Sequence, residues 1–160
     1  MSMKGNSMYA VIRVRGRAGT KKEIEDTLKM LRLKAVNNCV LVPETDSIKG
    51  MLEKVKDFIT WGEIDLDTLV LLLKRRLRGL GDVRIDNEEK LKEYTGYDSF
   101  EQFAKDLIEG KIKLKQFEKL KKVFRLPPPS KGYKSIKLHY PKGDLGYRGK
   151  TINELLKRML

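Results

Sequence analysis

From Tyr9 to Arg17 apolar and polar positions alternate. Ala10, Ile12, Val14 and Gly16 fall on one side, and Val11, Arg13, Arg15 and Arg17 on the other. That period of two predicts a half-buried strand with an arginine row on its open face. Thr20 and Glu23 have the spacing of a capping box, which predicts a helix whose buried stripe is Ile24, Leu28 and Leu31. Residues 35–42 read as a second strand stopped by Pro43. Thr45 or Asp46 then caps a second helix with Ile48, Met51, Leu52, Val55, Phe58 and Ile59 on one face, and "TWGEI" (60–64) reads as a third strand.

Residues 8–65 thus follow the order β-α-β-α-β, with two amphipathic helices that can cover only one sheet face. This is an α+β arrangement related to the ferredoxin-like split β-α-β fold. Beyond it, residues 66–126 form a mostly helical extension. Asp65 or Asp67 caps "LDTLVLLLKRRLRG", and two shorter helices span 87–95 and 99–109. A stripe of Phe117, Leu120 and Phe124 continues a helical period until three prolines stop it. Residues 127–150 read as a Pro/Gly/Lys-rich basic tail, of which 130–150 have almost no apolar periodicity and stay extended until they find a partner. Thr151 and Glu154 cap a terminal helix over 151–160, with Ile152, Leu155, Leu156 and Met159 inside. Residues 1–7 read as a loose leader.

Charge changes the picture from fold to partner. Lys and Arg number 35 against 22 Asp and Glu, a net of +13. Residues 1–110 hold 20 basic and 19 acidic side chains, whereas residues 111–150 hold 13 and 2. A nearly neutral body with a strongly cationic segment points to a polyanion. The candidate contacts are Arg13, Arg15 and Arg17 on the first strand, Lys21 and Lys22 in the loop that follows, and Arg32 and Lys34 beyond the first helix. Arg75, Arg76 and Arg78 crowd the end of the third helix, where cations also complement the helix dipole. In the tail the candidates are Lys131, Lys134, Lys137, His139, Lys142, Tyr147, Arg148 and Lys150. The tail tyrosines could stack on splayed bases or simply pack.

Other chemistry is poorly supported. "RVRGRAGTKK" (13–22) places glycines and lysines where a phosphate loop belongs, but Gly16 and Gly19 are only three apart and Thr20 precedes Lys21. "GRAG" has the form of a KH clamp, yet a strand precedes it where that fold has a helix. One histidine and one cysteine, Cys39, leave no zinc set, no disulfide and no nucleophilic triad; Cys39 reads as a small buried hydrophobe. Glu63, Asp65 and Asp67 could bind magnesium, as a nuclease would need, but the two aspartates stand where helix caps belong. The apolar runs are shorter than the roughly 20 residues of a membrane span, and the start lacks a signal-peptide core. No enzyme, no cofactor, no small-molecule substrate and no membrane partner is expected.

Residues 8–65, through "TLKMLRL", "TDSIKGMLEKVKDF" and "WGEI", resemble the small bacterial form of the large-subunit ribosomal protein L-thirty family. With "FRLPPP", "GDLGYRG" and "INELLKRML", the whole chain after residue 7 is similar to the longer archaeal form, whose eukaryotic counterpart is called L-seven. The resemblance implies a cytoplasmic structural component of the large ribosomal subunit. Its implied partners are large-subunit ribosomal RNA, the 5S RNA that the family helps attach to it, and neighbouring large-subunit proteins. A free-standing RNA-binding regulator or assembly factor remains the alternative, and an RNA-processing enzyme using Asp65 and Asp67 a more distant one.

Overall fold

The computed structural model describes residues 8–160. The expected leader, residues 1–7, lies outside the described residues. Strand β1 (Met8–Arg13) is the middle of a five-stranded sheet. It runs antiparallel to β2 (Asn38–Pro43) on one side and to β3 (Ile59–Glu63) on the other, so that Val11 lies opposite both Val40 and Trp61. The sheet order is β6-β2-β1-β3-β7, where β6 (Phe124–Arg125) joins antiparallel to β2 and β7 (Gly146–Tyr147) joins parallel to β3.

Helices α1 (Lys22–Met30) and α2 (Asp46–Lys54) lie on one face. Leu28, Leu31, Leu52 and Val55 pack there against Tyr9, Val11, Val40 and Trp61. The strand parity of the sequence is correct, but the side of β1 expected to be open is the side these helices cover. Arg13 is therefore buried, at 1% exposure. The opposite face, with Ala10, Ile12 and Cys39, is covered by the extension: α3 (Leu66–Arg76), α5 (Phe100–Ile108) and α6 (Ile152–Met159). A strand buried on both faces still alternates, because the second layer comes from residues far along the chain.

Capping explains several boundaries. Thr45, Asp65 and Ser99 accept from the N–H groups of Ile48, Thr68 and Gln102, and open α2, α3 and α5. Asn87 does the same for α4 (Glu88–Thr95), accepting from Lys90. Two expected capping boxes do not form. Lys21 precedes α1 without a side-chain cap, while the Thr20 hydroxyl donates to the Gly16 carbonyl at 3.4 Å. Glu23 and Glu25 supply favourable charge to that helix's first turn instead. Thr151 already has helical dihedrals, and its hydroxyl donates to the Arg148 carbonyl at 2.6 Å, closing the tight turn that leads into α6.

Two further expectations change. Residues 117–124 do not continue a helix. Phe117 meets Phe103 edge-on at 5.5 Å, Leu120 is buried, and Phe124 pairs into the sheet as β6. The chain must cross from the helical layer to the sheet edge here, and Lys122 Nζ satisfies the Phe117 and Leu120 carbonyls at 2.8 and 2.9 Å on the way. Residues 130–150, expected to be extended until bound, are folded onto the body. Leu145 is buried, Thr60 donates to the Gly146 carbonyl at 2.8 Å, and the Arg148 N–H donates to the Trp61 carbonyl at 2.8 Å. Gly62 makes this approach possible, because a Cβ there would collide with the Gly149 carbonyl oxygen.

Candidate nucleic-acid interface

The basic side chains named from the sequence separate into an interior group and two surfaces. Arg13 belongs to the interior. Its guanidinium donates to the Leu33 and Arg15 carbonyls, each at 2.8 Å, and pairs with Glu25 at 3.2 Å. It serves the fold, holding α1 to the loop that precedes β2. Arg148 is also interior, 3.1 Å from Asp144. Asp144 accepts as well from the backbone N–H groups of Lys134 and Ser135, so this one carboxylate gathers the start and end of the tail. An ion pair that withdraws both charges from solvent needs such additional hydrogen bonds.

The first surface combines the loop after β1 with the tail, and Asp57 joins them. Arg15 stacks over the Phe58 ring at 5.2 Å and reaches the Asp57 carbonyl at 3.5 Å. His139 Nε2 lies 2.7 Å from the Asp57 carboxylate. In that loop and in the tail Arg17, Lys21, Lys22, Lys131, Lys134, Lys137, Lys142 and Lys150 are exposed. Tyr147 is half-exposed on β7; its hydroxyl donates to Glu63 at 2.6 Å, and burial followed by that carboxylate raises its pKa to about 12. One edge of its ring faces Tyr9 at 6.4 Å, so packing accounts for much of its environment.

The second surface lies at the other edge of the sheet, beside β6. Strands are spaced about 4.8 Å apart, which puts β6 and β7 roughly 19 Å from each other. The end of α3 meets a small hairpin, β4 (Arg78–Gly79) and β5 (Val83–Arg84), and both meet the segment entering β6. This brings Arg75, Arg76 and Arg78 together with Arg84, Lys121 and Arg125. The last three are absent from the sequence-based set. They lie in different segments, and only the hairpin brings them to one place. Arg32 and Lys34 are exposed after α1. Lys122 is held below its ordinary pKa by burial and then by the nearby Arg32, so Arg32 adjoins this edge.

Two of the three carboxylates considered for metal binding have structural partners. Asp65 caps α3 and Glu63 receives the Tyr147 hydroxyl. Among the described residues no three His, Cys, Asp or Glu side chains gather into a metal-binding group. Cys39 is fully buried, and that burial pushes its thiol up to about 12. None of the described helices is long and apolar enough to cross a membrane.

The fold and its surfaces define a basic scaffold protein with exposed cations in the β1 loop and tail and a second cluster beside β6. The family model described as ribosomal protein L30p/L7e matches residues 9–59. Similarity to relatives extends through the remainder of the chain. The large ribosomal subunit protein uL30 of Archaeoglobus fulgidus is 51% identical over 152 residues, covering 95% of this chain and 99% of that protein. Those of Thermoplasma volcanium and Nanoarchaeum equitans are also 51% identical, each aligned with 96% of this chain and with 93% and 99% of their own lengths. The chain belongs to the ribosomal protein L30p/L7e family, in its long archaeal form. It is a ribosomal structural protein and not an enzyme.

Proposed function

We propose that the chain is a cytoplasmic component of the large ribosomal subunit that holds ribosomal RNA through its two basic sheet edges and helps attach the 5S RNA to the large-subunit RNA. The carrying observation is that Arg17, Lys21, Lys22 and the tail lysines are exposed in the β1 loop and the tail, whereas Arg76, Arg78, Arg84 and Arg125 gather around the hairpin and β6. Two separate charged surfaces suit two segments of RNA better than one. A-form RNA offers side chains mainly phosphates and 2′-hydroxyls, so recognition is by backbone shape, with neighbouring proteins completing the site.

Gel-shift measurements with archaeal 5S RNA, large-subunit RNA and both together test this. The expected result is binding to the large-subunit RNA and a ternary complex with both. Binding to the large-subunit RNA without 5S recruitment would remove the attachment role. Sedimentation of subunits through high salt separates an integral component, which stays bound, from a regulator, which washes away.

A further inference from the structure

We infer that the β4–β5 hairpin and the end of α3 form a clamp for the phosphate backbone of a single RNA segment, seated against Arg76. This rests on the RNA-binding reading above and assigns a specific site within it. The hairpin contradicts its own stability. Arg78 and Arg84 stand directly opposite each other in the antiparallel register, where like charges repel. A ladder of two residues per strand has little with which to offset that repulsion. The hairpin is instead held from outside, by Leu80 N–H to the Lys119 carbonyl at 2.8 Å and Lys121 N–H to the Arg78 carbonyl at 2.9 Å. A Cβ on Gly79 would strike the Tyr94 ring, so the base of the hairpin is pressed closely onto α4.

Arg76 adds a third guanidinium beneath this pair, and its Nε is buried without a hydrogen-bond partner. Burial, then the charges of Arg78, Arg84 and Arg75, lower its pKa from the ordinary arginine value. Three guanidinium groups crowded together, Arg78 and Arg84 directly opposed and Arg76 beside them, gain from an incoming anion. Arg76 forms a wall common to two clefts, of about 260 and 180 Å³. Both fall below the roughly 300–1,000 Å³ of a small-molecule pocket, and neither has an aromatic wall on which a base could stack. A phosphodiester fits these conditions, since the planar guanidinium fork takes two phosphate oxygens at once. Asp82, at the hairpin tip, shows where an anion rests: its carboxylate holds Lys121 at 2.6 Å and Arg125 at 3.8 Å. Asp86 also lines the larger cleft, so the phosphate sits toward Arg76 and Arg84.

Cys39 is buried, so a single surface cysteine can carry a tethered iron chelate that cuts nearby RNA backbone. Val83→Cys places the chelate on the hairpin and Lys142→Cys places it on the tail, both in the full chain bound to archaeal large-subunit RNA. The clamp requires cuts from the Val83 position, in a segment other than the one cut from Lys142. Cuts from Lys142 alone would overturn the clamp and leave RNA binding intact. No RNA binding by either labelled protein or by the unlabelled chain would remove both readings. Separately, Arg78→Gln with Arg84→Gln should leave the free protein melting at or above the parent temperature, because the opposed charges are gone. The same pair should weaken RNA binding at least tenfold and make the salt slope shallower by about 1 to 2. Unchanged affinity and slope would overturn the clamp and assign the hairpin to an acidic protein partner.

Discussion

Arg13 and Arg17 sit on the same side of the alternating N-terminal pattern yet have opposite roles. Arg13 loses its solvent, gains Glu25 and two carbonyls, and becomes part of the core, whereas Arg17 lies free in the following loop. Arg13→Ala should therefore destabilise the protein by about 3 kcal/mol, since it strands a partly buried carboxylate and an interior carbonyl. Arg17→Ala should stay within about 0.5 kcal/mol of the parent and act only on RNA affinity. Urea unfolding of the two variants measures both, and equal stability would contradict the assignment of Arg13 to the interior. Alternation reveals that a strand has two sides. It cannot reveal that the side carrying charge is covered, because the cover for Arg13 is built from Glu25 and Leu33, which the local period does not reach. The same limit concealed Arg84, Lys121 and Arg125, each of which reads as an ordinary surface charge in its own segment.

Among elements, the tail departs furthest from its local signal. Its order comes from a few unlike contacts: one buried leucine, backbone pairing along β3, and the Asp144–Arg148 pair. None of these repeats at a helical or strand period, so composition alone reads as unfolded. By contrast α5 and α6 were legible residue by residue, because a stripe such as Ile152, Leu155, Leu156 and Met159 has one physical explanation. Asp144→Ala should release the tail, removing hydrogen-exchange protection from residues 134–147 while β1, β2 and α1 keep theirs. The cost is about 3 kcal/mol for orphaning the buried Arg148 guanidinium. Retained protection in this variant would mean that strand pairing alone holds the tail.

For the whole molecule, the net charge is +13, and the contributions of the two basic surfaces to RNA binding add through counterion release. If six or so phosphates are neutralised in all, the logarithm of affinity against that of salt should have a slope of roughly −5. A slope near zero would dismiss electrostatic holding. The sheet also has a direction in time. Its α1/α2 face can close once about the first 65 residues have been made, but the opposite face, with Ala10, Ile12 and Cys39, awaits helices that include α6 at residues 152–159. During synthesis the ribosome therefore produces an intermediate with one finished face and one apolar face open to other nascent chains, the condition in which aggregation competes with folding. A chain cut after Thr151 should collect in inclusion bodies, and coexpression of α6 as a separate peptide should restore part of its solubility. The first strand is made safe only when a helix about 140 residues further along the chain reaches it.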